Sequence, residues 1–146
     1  MSIKIIALII VLLFNNNVFA KKNETYGTLK ITEITSVFDG DTFRANIHNV
    51  HSLIGNKIPI RVAGIDTPEI RGKCKKEKTL AKLAKQFTVN FLNSKDIIEL
   101  RNVKRGKYFR IVADVYVGNK NLSEYLIHSG LAVYYDGGVK SKNWCL

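Results

Sequence analysis

Two stretches of this 146-residue chain place carboxylates at the ends of candidate strands. The first is Val37-Phe-Asp-Gly-Asp-Thr42, and the second is Ile60-Arg-Val-Ala-Gly-Ile-Asp-Thr-Pro-Glu69. Carboxylate and carbonyl oxygens are the ligands that calcium and magnesium prefer, and a bound cation relieves the repulsion between neighbouring carboxylates. The pattern therefore predicts a metal site made by Asp41, Asp66 and the carbonyl oxygen of Thr67.

The remaining groups needed for phosphodiester hydrolysis lie in the same stretches and at Arg110. Arg61 and Arg110 can each present a planar guanidinium to one phosphate through paired hydrogen bonds. Glu69 is a candidate general base that would activate a water molecule. Taken singly, Asp41 is explained as a turn former and Arg61 as a surface ion pair. Their joint occurrence favours the hydrolytic interpretation.

Alternation of apolar and polar residues predicts five short strands that would carry these groups. The predicted strands are Leu29–Val37, Thr42–His48, Lys57–Ile65, Asp96–Val103 and Arg110–Val117. Pro59 predicts an edge position or a bulge in the third strand, because proline lacks a backbone N–H. With one helix after the third strand and one after the fifth, this order predicts an α+β, mainly β fold: a five-stranded oligonucleotide-binding barrel with two helices.

The longer helix is indicated by an apolar stripe that follows a basic, loosely structured segment, Arg71–Lys78. The stripe consists of Leu80, Leu83, Ala84, Phe87 and Phe91, which recur at helical spacing. The shorter helix is bracketed by Asn121, a good N-cap residue, and by Gly130, which favours a helix end. Residues 51–56 are expected to form a loop.

The first 20 residues have the plan of a signal peptide. Lys4 is followed by an apolar run, Ile5–Phe14, and Val18-Phe-Ala20 offers small or apolar residues before a cleavage position. Such a run is too short to span a bilayer, which takes about 20 residues. A retained anchor or a buried strand is the alternative. We expect an exported protein, periplasmic or secreted, with a single domain over residues 21–146.

The chain carries a net charge of +11, which favours nucleic acid or another polyanion as a partner. Removal of the predicted leader costs one positive charge, Lys4. Cys74 and Cys145 are the two cysteines. In an oxidising compartment an even count suggests one disulfide, with two free thiols as the alternative. Neither has a partner at zinc-ligand spacing, which argues against a structural zinc.

Three stretches of the chain together resemble the signature of the thermonuclease family, typified by staphylococcal nuclease. They are the Asp-Gly-Asp-Thr and Arg-x4-Asp-Thr-Pro-Glu stretches quoted above and Lys107-Tyr-Phe-Arg110, in the family's order. The resemblance covers about Leu29 to Tyr135. It implies a calcium-dependent nuclease that cuts the 5′-oxygen–phosphorus bond of DNA or RNA and leaves 3′-phosphates.

The resemblance also implies roles for individual residues. Calcium would be held by Asp41, Asp66 and the Thr67 carbonyl, with Asp39 in support. Glu69 would be the general base, and Arg61 and Arg110 would bind the phosphate under attack. Lys107 and Tyr108 match positions that contact the far phosphate of a bound nucleotide.

The chain departs from staphylococcal nuclease at several points. Phe109 replaces a glycine, the long last helix has no counterpart after Tyr135, and the cysteine pair is added. Exported bacterial relatives end in a similar Tyr-Asp-Gly-Gly…Trp-Cys tail, so we expect a Cys74–Cys145 bridge to fasten the C-terminus and the protein to be an exported bacterial member. Tyr134 or Tyr135 would offer a platform for a base.

The leading hypothesis is therefore an exported, calcium-dependent nuclease acting on DNA and RNA. The alternative is a noncatalytic barrel that binds nucleic acid or another polyanion, and a structural envelope protein is a third interpretation. Because the sequence has no obvious apolar surface stripe, we expect a monomer. After cleavage of the signal peptide, we expect no stable membrane association.

Overall fold

Residues 24–146 are described by the structure, a computed structural model. The predicted signal peptide, residues 1–20, lies outside them. Five strands close into a barrel, because β3 (Ile58–Val62) pairs with β2 (Thr42–Ile47) on one side and with β6 (Ile111–Val117) on the other. β1 (Leu29–Val37) and β5 (Ile98–Arg105) complete the pairing order β3-β2-β1-β5-β6, and a short strand, β7 (Lys120–Asn121), is added at the edge of β6. The predicted five-stranded barrel is confirmed.

The strands are β1 (Leu29–Val37), β2 (Thr42–Ile47), β3 (Ile58–Val62), β4 (Ile65–Asp66), β5 (Ile98–Arg105), β6 (Ile111–Val117), β7 (Lys120–Asn121) and β8 (Val133–Tyr134). The predicted bounds of β1 are those observed, and those of β2, β5 and β6 are within two residues. Alternation places one face of each strand inside the barrel. The buried residues of β2 are Phe43, Ala45 and Ile47, and those of β6 are Ala113, Val115 and Val117.

The predicted strand Lys57–Ile65 is divided in the structure. It breaks between β3 and β4 at Gly64, whose φ of +75° is a conformation that glycine adopts without steric cost. Pro59 pairs with Arg44 of β2, while the parallel β3–β6 ladder runs only from Ile60 to Val62. Pro59 thus lies outside the ladder between β3 and β6, where its missing N–H would have left a hydrogen bond unmade. β3 can therefore have a neighbouring strand on both sides.

The helices are α1 (Ser52–Gly55), α2 (Lys75–Leu92) and α3 (Leu122–His128). The single turn of α1 was not predicted, since this segment was expected to be a loop. The prediction for α3 is confirmed, with the Asn121 side chain accepting a hydrogen bond from the Ser123 N–H and with Leu122 and Leu126 buried. Within residues 24–146, no helix has both the length and the apolar character needed to cross a membrane.

The start and the buried face of α2 differ from the prediction. The helix starts at Lys75, because Cys74 acts as the N-cap and its sulfur accepts a hydrogen bond from the Glu77 N–H. Its buried residues are Glu77, Ala81, Ala84, Thr88 and Leu92. Leu83, from the predicted stripe, is exposed. Ala84 of the stripe is buried, and Phe87 and Phe91 pack partly buried against the core, so the predicted face is confirmed in part.

Small residues let α2 approach the turn that precedes β2. A Cβ atom added at Gly40 would lie 2.8 Å from the Ala84 Cβ and 2.9 Å from the Thr67 Cγ2. The Thr88 hydroxyl, which is fully buried, donates a hydrogen bond of 2.6 Å to the Gly40 carbonyl oxygen. This contact fixes the turn between Asp39 and Asp41 against the helix.

A disulfide joins Cys74 to Cys145 across 71 residues, as predicted. Trp144 is buried beside it, and the Lys76 ammonium contacts the Leu146 carbonyl oxygen. After β8, the described chain has turns and irregular structure but no helix. The bridge therefore fastens the C-terminal segment, residues 135–146 (the tail), to the start of α2.

Replacing Thr88 with valine should lower the free energy of unfolding by about 1–3 kcal/mol, because the buried Gly40 carbonyl loses its hydrogen-bond donor. Urea denaturation of the purified variant measures this loss. Thr79→Val is the matched control, because Thr79 is exposed on the same helix and should change stability by less than about 0.5 kcal/mol. Equal losses in the two variants would contradict the assigned role of Thr88.

Candidate metal and phosphate site

The predicted metal ligands are brought together by three strands. Asp41 directly precedes β2, and its backbone carbonyl accepts a hydrogen bond of 2.8 Å from the Val62 N–H of β3. Arg61 lies opposite Thr42 across the β2–β3 ladder. The bend at Gly64 then returns the chain so that Asp66, at the end of β4, approaches the same guanidinium. Residues separated in sequence thus converge at one end of the barrel.

Asp41 is buried and fully engaged by neighbouring donors. Its Oδ1 contacts the Nη1 of Arg61 and accepts a hydrogen bond of 2.9 Å from the Thr42 hydroxyl. Its Oδ2 accepts hydrogen bonds from the backbone N–H and the hydroxyl of Thr67, at 3.1 and 2.9 Å. The Asp41 carboxylate therefore ties β2 to β3 and to the segment after β4.

Asp66 is buried to the same degree but has fewer partners. Its side chain is only 5% exposed, and its Oδ1 has no hydrogen-bond donor of acceptable geometry among the described residues. The cations beside this oxygen are the Nη2 of Arg61, at 3.9 Å, and the Nζ of Lys140, at 2.7 Å. These contacts are ion pairs, and both of them are made by the same oxygen atom of Asp66.

Glu69 follows Pro68 and is half exposed. Its Oε1 lies 2.5 Å from the Lys140 Nζ. Its backbone N–H donates a hydrogen bond of 3.4 Å to Glu77, whose other carboxylate oxygen accepts one of 2.8 Å from the Lys73 N–H. The buried Glu77 carboxylate therefore positions the loop that carries Glu69.

The excess of acidic groups perturbs the ionisable residues of the site. Burial raises the pKa of Asp39 to about 6, and the negative charge of Glu69 adds to the rise. Burial lowers the pKa of the Arg61 guanidinium, although the surrounding carboxylates oppose this change. Burial also opposes the charge of Lys140, but contacts with Asp66 and Glu69 outweigh it and raise its pKa. The site thus favours cations.

The donor set fits a hard divalent cation. The predicted ligands Asp41, Asp66 and Thr67 offer only oxygen atoms, and Asp66 Oδ1 is buried without a hydrogen bond in the described chain. Within residues 24–146, one group of three His, Cys, Asp or Glu residues has its ligand atoms within 4.8 Å. That group is Cys74, Glu77 and Cys145, and its cysteines are joined by the disulfide. A cation at Asp41 and Asp66 would therefore need carbonyl or water oxygens as well.

An open groove of about 670 Å³ passes over the barrel beside this site. Its lining includes Arg61, Lys104, Lys107, Arg110 and Tyr135. The Nε of Arg110 is buried without a hydrogen-bond partner among the described residues, so this guanidinium has donor capacity to spare. The two predicted phosphate-binding arginines, Arg61 and Arg110, therefore line one groove together with Lys107.

The tyrosines predicted to contact the substrate differ in their position relative to this groove. Tyr108 is 90% exposed on the β5–β6 turn and is not part of the groove lining. Tyr135 lines the groove, and its hydroxyl donates a hydrogen bond to the Gly138 carbonyl oxygen, whereas Tyr134 is exposed and does not line it. Of the two adjacent tyrosines, Tyr135 is therefore the one that lines the groove.

Sequence reasoning missed Lys140 and Glu77. Lys140 lies in the tail, 71 residues from Glu69, and carries no local sequence signal. Glu77 follows the N-cap residue Cys74 by three positions, which is the spacing of a capping box. That spacing could have pointed to Glu77 as a residue that organises the turn before α2.

The turn that carries Arg110 holds two consecutive residues in the left-handed region. Tyr108 has φ of +57° and Phe109 has φ of +58°, which is unfavourable for residues with a Cβ atom. The Phe109 ring is more than half exposed, and the Arg105 guanidinium lies 5.9 Å from its centroid. The Phe109 side chain does not line the groove.

Phe109→Gly should be more stable to unfolding than Phe109→Ala by about 1 kcal/mol, because alanine keeps the strained Cβ while both variants lose the ring. Urea denaturation compares the two variants directly. Equal stability, or a more stable alanine variant, would show that the left-handed conformation at this position is not under strain.

Comparison with known proteins identifies a family whose sequence pattern matches this chain. The sequence pattern of the family described as Staphylococcal nuclease homologue matches residues 59–143. A probable endonuclease of Schizosaccharomyces pombe is 32% identical over 139 residues, covering 80% of this chain and 60% of the relative. A probable endonuclease of Phaeosphaeria nodorum is 32% identical over 91 residues, covering 58% of this chain and 30% of the relative.

A third relative, a probable endonuclease of Pyricularia oryzae, is 27% identical over 126 residues, covering 73% of this chain and 49% of the relative. The chain thus spans at most 60% of the length of these three relatives. All three are fungal proteins, so they give no support to the bacterial origin expected from the tail. The family match includes Arg61, Asp66, Glu69 and Arg110 but begins after Asp41.

Proposed function

Because this chain belongs to the staphylococcal nuclease homologue family, we propose that it is a calcium-dependent nuclease that hydrolyses phosphodiester bonds of DNA and RNA. The observation that carries the proposal is the placement of Arg61. Its guanidinium contacts Asp41, approaches Asp66 and also lines the basic groove. One side chain thus connects a site suited to a cation with a surface suited to a polyanion.

The metal would be held by the carboxylates of Asp41 and Asp66 and by the carbonyl oxygen of Thr67. When bound, a divalent cation supplies a Lewis acid that stabilises negative charge on a phosphoryl oxygen. The all-oxygen donor set favours calcium or magnesium over softer metals. Of these two ions we propose calcium, in line with the resemblance to staphylococcal nuclease.

Arg61 and Arg110 would bind the phosphate that is attacked. The Nη2 of Arg61 donates a hydrogen bond of 3.0 Å to the Ile65 carbonyl oxygen, and its Nη1 contacts Asp41, so its orientation is set before substrate arrives. Arg110 brings a guanidinium with an unused buried Nε. Donors that are already oriented stabilise developing charge without reorganising during the reaction.

Glu69 would act as the general base. Its carboxylate is half exposed next to Asp66, where water has access to it. In the proposed reaction, water adds to phosphorus and transfers a proton to Glu69. The bond from phosphorus to the 5′-oxygen breaks, and the leaving oxygen takes up a proton. The products are a 3′-phosphate and a 5′-hydroxyl.

The groove would bind the nucleic acid strand on either side of this phosphate. Lys104 and Lys107 place positive charge along its lining, and Tyr135 offers an aromatic face. Stacking of bases on aromatic side chains tolerates any sequence, because every base has a π-face. We propose a single strand without sequence preference as the substrate, with Tyr135 as the stacking residue. Tyr108, on the exposed turn, would contact a more distant phosphate.

Export remains a proposal that is based on the leader-like sequence of residues 1–20. A disulfide in the described domain is compatible with an oxidising compartment. We propose that the mature protein is a periplasmic or secreted monomer that begins near Lys21.

The proposal is tested by release of acid-soluble nucleotides from denatured DNA. We expect cleavage in calcium and none in excess chelator. Arg61→Ala should reduce the rate by about 10²–10³-fold, the usual effect of losing one preorganised charge donor. Arg44→Ala is the matched control, since Arg44 is exposed on β2 and outside the groove lining. DNA binding without cleavage in any divalent metal would favour the noncatalytic alternative.

Glu69→Gln should reduce turnover by about 10²–10⁴-fold, the range for a general base. The affinity for a nucleotide bisphosphate should change little, because Arg61 and Arg110 remain. Steady-state kinetics and fluorescence titration measure the two quantities separately. Cleavage at the wild-type rate would show that another group takes the proton.

A further inference from the structure

The tail brings a cation to the predicted metal and base residues. The Nζ of Lys140 lies 2.7 Å from Asp66 Oδ1 and 2.5 Å from Glu69 Oε1. The three residues line a cleft of about 530 Å³, whose lining also includes Trp144 and Cys145 of the tail. The ammonium therefore lies where an exogenous cation would meet Asp66.

The tail is held at both ends of the segment that carries Lys140. On one side, the Tyr135 N–H donates a hydrogen bond of 2.9 Å to the Gly64 carbonyl oxygen, and Tyr135 Oη donates to Gly138. On the other side, the Cys145 disulfide and the buried Trp144 anchor the chain to α2. Lys140 is thus presented to the carboxylates at a high effective concentration.

We propose that Lys140 is an internal counterion of the metal site, which compensates Asp66 in the metal-free protein and competes with calcium for this carboxylate. The inference rests on the proposed function, because it requires that Asp66 bind the metal. A buried carboxylate without a hydrogen-bonding donor is costly unless a cation lies beside it. Lys140 meets that need until calcium replaces it.

The exposure of Lys140 makes such an exchange feasible. Its side chain is 43% exposed, whereas that of Asp66 is 5% exposed. On displacement, the ammonium can rotate into water on its flexible stem and regain hydration, while calcium takes over the buried carboxylate. Arg61 has no such freedom, since its side chain is 16% exposed and engages Asp41. Lys140 is the exchangeable cation and Arg61 the fixed one.

Calcium binding to the intact mature protein tests this proposal without reference to activity. By isothermal titration calorimetry, Lys140→Met should bind calcium about three- to fivefold more tightly than wild type, as expected for loss of one partly exposed ion pair. Lys142→Met is the matched control. Lys142 lies in the same tail over the Trp144 ring, with no ion pair in the described residues, and its loss should leave the calcium affinity within about twofold of wild type by the small size of surface charge effects.

Thermal unfolding gives a second readout. In chelator, Lys140→Met should unfold about 3 °C below wild type, because Asp66 has lost its counterion. In saturating calcium the difference should vanish, because the gain in calcium affinity and the loss of metal-free stability are the same free energy. Lys142→Met should show no such dependence on calcium.

The outcomes separate this inference from the proposed function. Equal calcium affinity in wild type and Lys140→Met, or a stability deficit that persists in saturating calcium, overturns the role of Lys140 and leaves the nuclease proposal intact. Weaker calcium binding in Lys140→Met also overturns it, because the ammonium would then support the metal. Absence of calcium binding in both proteins overturns the metal site and this inference together.

Discussion

The buried contact between Asp41 and Arg61 is the interaction on which the rest of the site depends. It joins Asp41, which directly precedes β2, to Arg61 of β3. The Oδ2 atom of Asp41 extends the connection to Thr67, which follows β4. Removing either partner of a buried pair leaves an uncompensated charge, which is more damaging than the pair is favourable. The barrel therefore has to bring these strands together in one register, and that register sets the positions of Asp66 and Arg110.

The site is built as a balance of charges that are partly buried. Four carboxylates, those of Asp39, Asp41, Asp66 and Glu69, lie close to Arg61, and those of Asp66 and Glu69 also contact Lys140. Burial of Asp39 and the nearby charge of Glu69 raise the pKa of Asp39, and Arg61 opposes this rise. A divalent ion would restore the balance, and a phosphate would then satisfy the arginines. Under the proposed function, the protein would bind opposite charges on adjoining surfaces, with Arg61 shared between them.

Much of the fold could be predicted because its signals are local. The alternation of Phe43, Ala45 and Ile47 needs no knowledge of distant residues, and the five strands follow from such patterns. The bridge between Cys74 and Cys145 was predictable from a count of two. The exposure of Leu83 on α2 was not predictable, because the close contact of the helix with Gly40 is made by Ala84 and Thr88. The position of Lys140 beside Asp66 could not be predicted from the sequence, because the two residues come together only when the tail is folded. The roles of the predicted site residues stay predictions, since geometry places them together without showing what they do.

The parallel ladder between β3 and β6 bears on how this protein acquires its shape. It pairs Ile60 with Ile111, whereas β1, β2 and β3 are joined by successive antiparallel pairs of nearby residues. Contacts of large sequence separation close slowly, because a long loop must be ordered before they form. Asp66 depends on a distant pairing of the same kind, because β4, which carries it, pairs with β8 near the end of the chain. Completion of the site around Arg61 therefore requires long-range pairings both at Asp66 and beside Arg110.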